Sequence, residues 1–384
     1  MVADSPFRPP VDLRPVPLVP LPAQPPATPW PTEVWPTASA AEHGADVGQL
    51  AELLDELFAH DHPVLGRTFA AAIVHEGRLV VERYGRWPVR DLRAMTDNPP
   101  TEPVLPTTRL LSWSMAKSLT AMAVGVAVGD GALSIDQPVG DPRWSDPGDP
   151  RGAITWADLL AMRSGLAWTE EYYELDPTAL PDVVSMLFGD GAADMAAFAA
   201  DKPLVSPPGS PASYCYSSGT TNIVAANLQR VLGLDRDGME RFLRDRILEP
   251  IGVTEPDLRF DEAGTFVGSS YAYLTLRDWC RFGLLALRDG TWDGTRLLPE
   301  GWMDRARTMR SLDESGKRYG AHWWGWDRPD GAFAAHGFEG QRVLCVPARD
   351  LVVVRLGRTG AEGADPLTEH LFRMVDLFPT RRGR

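Results

Sequence analysis

The stretch Thr107-Thr-Arg-Leu-Leu-Ser-Trp-Ser114-Met-Ala-Lys117-Ser-Leu-Thr-Ala-Met-Ala-Val-Gly-Val-Ala-Val128 runs from a polar loop into an uncharged segment, Leu119 to Val128. That segment is too short for a membrane span, which needs about 20 residues. It reads as a buried helix in which Ala121, Ala123, Gly125 and Ala127 let neighbouring elements pack closely. At its start stands Ser114-x-x-Lys117. Three residues apart on a helix, a hydroxyl and an amine share one face. Unpaired N–H groups at a helix N-terminus favour negative charge developing there. A lysine buried behind that point has its amine pushed toward neutrality and can take the serine proton. Read alone, the same four residues also fit an N-capping serine with a solvated lysine one turn on.

Working outward, Val47 to Ala59 carries Leu50, Leu53, Leu54, Leu57 and Phe58 at helical spacing, which predicts an amphipathic helix. Phe69 to Val74, Glu76-Gly77 and Leu79 to Tyr84 predict an antiparallel hairpin with a glycine turn. Between about 155 and 255 the pattern is mostly helical: Trp156 to Met162, Asp182 to Phe188, Asp194 to Ala199, Thr221 to Leu232 and Glu240 to Leu248. Leu274 to Leu287 reads as a further helix. Gly331 to Ala335, Arg342 to Val346 and Leu351 to Leu356 read as strands, the last two joined by the turn Pro347-Ala-Arg-Asp350. The simplest architecture is α+β: an antiparallel sheet from both ends of the chain, flanked by helices, with a mostly helical inserted region. The expected division is an extended segment over 1–45 and one catalytic domain over 46–384. Within it, 67–106 and 265–384 supply the sheet and 107–264 the helical region.

Composition narrows the function. Lys plus Arg 38 against Asp plus Glu 52 leaves a net charge of −14, which disfavours nucleic acid and anionic membrane surfaces as partners. The three cysteines, Cys215, Cys280 and Cys345, form no C-x-x-C pair, so neither a disulfide framework nor a structural zinc site is expected. No cofactor or metal is expected. The opening residues lack the basic and apolar regions of a secretory signal, so a cytoplasmic location is expected. The G-x-S-x-G, H-E-x-x-H, Walker and G-x-G-x-x-G motifs are absent. Twelve of the 35 prolines fall in the first 36 residues. With Phe7, Leu13, Val16, Leu18, Val19, Leu21, Trp30 and Trp35 among them, this segment predicts an extended belt packed on the body.

Residues 107–141, with Ser114-Met-Ala-Lys117 and Gly129-Asp-Gly-Ala-Leu-Ser-Ile-Asp-Gln-Pro-Val139, resemble the first signature of the serine β-lactamase-like hydrolases. That superfamily includes class C β-lactamases, D,D-peptidases, esterases and 6-aminohexanoate-dimer hydrolases. Ile154-Thr-Trp-Ala-Asp-Leu-Leu-Ala-Met-Arg-Ser-Gly-Leu166, Arg277 to Leu285 and Asp293 to Trp302 continue the resemblance in order, over roughly 67–360. It implies a serine hydrolase acting through a Ser114 acyl-enzyme on a small ester or amide. Lys117 and Tyr216 would share proton transfer, with the choice of base open. Tyr216 comes from Tyr216-Ser217-Ser218, matched to the family's Tyr-x-Asn; Tyr214 is the competitor. Ser218 stands where class C enzymes keep asparagine, which points away from β-lactams. The third motif maps to Ala335-His336-Gly337-Phe338 in either of two frames, with His336 or Ala335 at the lysine position. An N–H near Gly337 or Phe338 would serve as an oxyanion donor beside Ser114. Trp168-Thr-Glu-Glu-Tyr172-Tyr-Glu-Leu-Asp176 is similar to the acid-and-tyrosine loop of the aminohexanoate-dimer hydrolases and places Tyr172, with Tyr173 as alternative, near the substrate. The competing readings are a β-lactamase or D,D-peptidase of the same fold and an inactive binding protein that keeps it.

Overall fold

The computed structural model describes residues 17–60, 62–88, 101–172, 180–313 and 316–381. Phe7, Leu13, Val16 and Tyr173 lie outside the described residues. Among them, an eight-stranded antiparallel sheet forms the frame. Its strands, numbered in chain order, are β1 (Arg67–His75), β2 (Arg78–Tyr84), β3 (Ser311–Leu312), β4 (Arg318–Tyr319), β5 (Trp324–Gly325), β6 (Phe333–Gly337), β7 (Gln341–Val346) and β8 (Leu351–Arg358). They lie in the order β3-β4-β5-β6-β7-β8-β1-β2. The first hairpin therefore docks on the last strand, with Arg67 opposite Arg358 and His75 opposite Leu351. Glu76 (φ 49°) and Gly77 (φ 76°) make the hairpin turn, both left-handed as the twist of a two-residue hairpin demands.

Both faces of the sheet are covered, which is why β1 and β8 read as continuous apolar runs and not as alternating ones. Ala70, Ala72 and Val74 join Val352, Val354 and Leu356 in one core, while Ala71 and Ile73 join Leu351 and Val353 in the other. The second core is closed by helix α1 (Val47–Leu57), through Leu50, Leu53 and Leu57, and by the C-terminal helix Ala364–Asp376. Asp46 starts α1 by accepting from the N–H groups of Gly48 and Gln49 at 3.0 Å.

The first face carries the helical region. Helix α2 (Met115–Gly129) has every residue from Met115 to Ala127 buried, as expected of a helix apolar all round. Around it lie α3 (Trp156–Leu160), α4 (Asp182–Phe188), α5 (Met195–Ala200), α6 (Ser218–Leu232), α7 (Arg236–Leu243), α8 (Leu276–Leu287) and α9 (Trp302–Ala306). The C-terminal helix is α10. Capping boxes Thr155/Asp158 and Thr275/Asp278 start α3 and α8. Residues 244–248 continue α7 as a π turn. No helix among the described residues is long and apolar enough to cross a membrane.

From residue 17 to the bridge of Thr37 with Leu79, the proline-rich segment is extended across this body. Prolines supply carbonyl acceptors and no N–H donors, and the body answers with guanidinium groups. Arg307 donates to Val19 O at 2.6 Å, Arg288 to Pro22 O at 3.2 Å, Arg78 to Ala27 O at 3.1 Å and Arg281 to Pro31 O at 2.8 Å. Trp30 packs on Trp292 with ring centroids 4.9 Å apart, and Trp35 is buried in the first core.

Candidate active site

The N-terminus of α2 presents the predicted pair. Ser114 precedes the helix in helical backbone geometry but makes no side-chain cap, so its hydroxyl is not spent on the backbone. Lys117 Nζ lies 2.8 Å from Ser114 Oγ, 2.9 Å from Ser218 Oγ and 3.1 Å from the Ser269 carbonyl oxygen. The lysine is 1% exposed. Burial brings its pKa down to about 8, against an opposing pull from the Glu170 charge. The solvated-lysine reading is thereby removed. Trp113, just before the serine, holds φ 46°, a left-handed geometry costly for a bulky residue and typical of sites where the surroundings dictate the backbone.

Tyr216 closes the cluster. Its ring lies 4.9 Å from Lys117 Nζ, and its hydroxyl is near enough to Ser114 for that side chain to favour the phenolate against burial. Burial, reinforced by the Glu170 charge, pushes the phenol well above its ordinary range, so it stays protonated. Both tyrosines meet Tyr319, Tyr216 at 5.7 Å and Tyr214 at 6.1 Å, and the buried hydroxyl of Tyr214 finds no partner among the described residues. Of the two tyrosines, Tyr216 is the one that packs against Lys117.

The loop after α3 adds a group the sequence reading had not singled out. Gly219 permits its approach: a Cβ there would sit 2.6 Å from the Trp168 ring. Glu170 thereby reaches the N-terminus of α6, accepting from Ser218 N–H at 2.8 Å and Ser218 Oγ at 2.5 Å. Tyr172 donates its hydroxyl to Glu170 at 2.8 Å and packs on Phe338 with centroids 4.5 Å apart. Phe338 also meets Trp113 edge-on at 5.7 Å, and Trp113 lies 6.3 Å from Tyr271. These four half-buried aromatics stand beside Ser114.

The third motif divides by strand alternation. Ala335 lies in the core under α2. Gly337, two residues on, is where the strand meets the loop that leads into α2, since a Cβ on it would sit 2.1 Å from the Ser112 carbonyl oxygen. His336 falls between them and so faces the other way. Its ring stacks on Trp324 at 5.7 Å and tilts against Trp326 at 5.2 Å, while Trp324 packs on Tyr216 at 5.3 Å. The structure does not bring His336 to Ser114; it brings Tyr172, Gly337 and Phe338. Burial holds His336 neutral, well below the ordinary histidine range.

A family model described as Beta-lactamase matches residues 64–371. The chain belongs to the beta-lactamase family. It is 24% identical over 295 residues to the 6-aminohexanoate-dimer hydrolase of Paenarthrobacter ureafaciens, covering 69% of each chain. Among solved structures, a putative 6-aminohexanoate-dimer hydrolase from Bacillus anthracis is similar with a TM-score of 0.68 and 20% identity, over 90% of this chain and 89% of that one. A family VIII carboxylesterase is similar with a TM-score of 0.61 and 17% identity, over 85% and 97%. The chain is accordingly a serine hydrolase of the beta-lactamase family. In this member Glu170 left a sequence signal that went unused: an acidic residue two before the tyrosine of a loop already matched to the site.

Proposed function

We propose that this serine hydrolase cleaves small uncharged esters, and linear amides more slowly, through a Ser114 acyl-enzyme. The observation that carries the reading is the contact of Lys117 with both Ser114 and Tyr216 at the N-terminus of a helix buried from Met115 to Ala127. Lys117 acts as base because burial lowers its pKa to about 8, whereas Tyr216 is held protonated. Ser114 Oγ attacks the carbonyl carbon as its proton passes to Lys117. Tyr216 then hands a proton to the leaving oxygen or nitrogen and is reprotonated from Lys117. The oxyanion rests on the Ser114 N–H and a strand-end N–H at Phe338, helped by the positive end of α2. Water repeats the sequence on the acyl-enzyme.

Substrate class follows from what surrounds the serine. Trp113, Tyr172, Tyr271 and Phe338 offer half-buried aromatic surface, which suits an apolar or aromatic acyl or leaving group. Ala335 and Gly337 hold the face where β-lactam-processing relatives carry a lysine, and Ser218 stands in place of their asparagine, so neither of those two side chains is present at the matching positions.

Fluorophosphonate labelling of the wild type and of Ser114→Ala, followed by p-nitrophenyl esters, a chromogenic cephalosporin and a linear aminohexanoate dimer, tests the reading. Labelling of the wild type alone and fastest turnover of short esters are expected. Faster cephalosporin than ester turnover would overturn the substrate class, and an unlabelled wild type would overturn the mechanism.

A further inference from the structure

The Glu170 carboxylate has four donors around it. Oε1 accepts from Ser218 Oγ at 2.5 Å and Tyr172 Oη at 2.8 Å; Oε2 accepts from the Ser218 N–H at 2.8 Å and Trp168 Nε1 at 2.6 Å. Two of these are N–H groups that can only donate, and an ionised carboxylate can only accept. The consequence reaches Lys117 through Ser218. A serine hydroxyl has one hydrogen, and that of Ser218 is committed to Glu170. What Ser218 Oγ offers Lys117 is a lone pair, so a lysine N–H must point at it. The Ser269 carbonyl takes a second N–H. A neutral amine has two N–H groups and one lone pair, and the remaining direction, toward Ser114 Oγ at 2.8 Å, is where the lone pair goes.

On the reading of Ser114 and Lys117 given above, we infer that Glu170 is a positioning residue: by orienting the Ser218 hydroxyl it aims the Lys117 lone pair at Ser114. Without the carboxylate, Ser218 is free to turn and donate to that lone pair, which blocks the base. As Ser114 Oγ bonds to the carbonyl carbon, its proton moves to Lys117 Nζ and the carbonyl electron pair moves to the oxyanion. Glu170 receives no proton; its charge stabilises the ammonium that forms.

The charge also sets when the lone pair is available. Lys117 faces Ser114 on its own helix, Tyr216 and Ser218 at the start of α6, the Ser269 carbonyl, and Glu170 beyond Ser218. His322, before β5, is also near, but burial takes its pKa to about 3 and it stays uncharged. Glu170 faces Trp168, Tyr172 and Ser218, with the phenols of Tyr216 and Tyr319 farther out, both kept protonated by burial. Glu170 is the one of these that holds the Lys117 pKa up, so neutralising it moves the acid limb of kcat/KM to lower pH.

The test is kcat/KM against pH on a p-nitrophenyl ester for Glu170→Gln, Ser218→Ala and the double variant, with melting temperatures. Glu170→Gln is expected to lose about 10²-fold in kcat/KM and to shift its acid limb downward. The double variant is expected within about threefold of the weaker single one, since both act on one step. Wild-type kcat/KM in Glu170→Gln, an unmoved limb, or losses that multiply would overturn the inference. Should Glu170→Gln fail to fold, Ser218→Ala decides: it leaves the other donors to Glu170 in place, a loss of similar size supports the inference, and an unchanged rate overturns it. An inactive, unlabelled wild type would instead sink the acyl-enzyme reading itself.

Discussion

In the proposed mechanism Lys117 must be neutral to accept the proton of Ser114, so the pH dependence has a definite sign. With its pKa lowered by burial to about 8, kcat/KM rises with pH and levels off above that point. Steady-state rates between pH 6 and 10 check this; a rate that falls through the same range would show that the protonated amine is the active form. Lys117→Met removes the base without restoring a cation, and a drop in kcat/KM of at least about 10²-fold is expected. Gly337 supplies a second residue-level test. Its φ of −122° suits any amino acid, so only space is at issue: an added Cβ would overlap the Ser112 carbonyl at 2.1 Å. Gly337→Ala should therefore push the strand end away from the nucleophile loop and cut kcat/KM, by about 10²-fold if one oxyanion donor is lost. A fully active variant would remove Gly337 and Phe338 from the site.

Among the elements, α8 shows how closely helix and sheet meet. A Cβ on Gly283 would lie 2.6 Å from Val352 Cγ1 and 2.7 Å from Val343 Cγ1, and neither stiff valine has room to move within the first core. Gly283→Ala is expected to destabilise by about 1–3 kcal/mol through overpacking, despite the better helix propensity of alanine. Chemical denaturation measures it. α10 had a readable pattern, Leu367, Leu371, Met374 and Val375, all buried on the second core together with Phe378 just beyond the helix, but the sequence reading stopped at the last strand. The start of α6 shows the opposite limit. Tyr216-Ser217-Ser218 was legible as a motif, while the choice of Tyr216 over Tyr214 needed the distance to Lys117.

At the level of the whole molecule, the proline-rich belt supplies carbonyl acceptors to buried guanidinium groups of the body. Arg281, Arg288 and Arg307 are all buried and all donate to belt carbonyls. Arg288 is also paired at 2.5 Å with Asp350, each side chain 1% exposed. Removing residues 1–36 takes away these carbonyl acceptors, leaving Arg281, Arg288 and Arg307 with Asp278, Asp350 and Asp304, and bares Trp292, so a fall in melting temperature of roughly 5–10 °C is expected. Unchanged melting would make the belt a passive tail. Kinetics with a p-nitrophenyl ester should change little at a temperature where the truncated chain is folded, because the described residues of the belt bond to Arg78, Arg281, Arg288 and Arg307 and not to Ser114, Lys117 or Tyr216.

The sequence by itself carried the first hairpin, the central helices, the last two strands and the Ser114/Lys117 pair, because these are local: hydrophobic period, turn residues, and two groups three apart at the start of one helix. It also carried the family resemblance, which is a property of ordered motifs. What only the tertiary structure decided depends on residues far apart in the chain meeting in space. The face taken by His336 follows from the pairing of β6 with β5 and β7, which alternation fixes only once Gly337 is set against Ser112. The place of Glu170 follows from a loop laid on the start of α6, 48 residues away in the chain. The direction of the Ser218 hydroxyl, and with it the lone pair of Lys117, follows from counting donors and acceptors that three separate segments bring together.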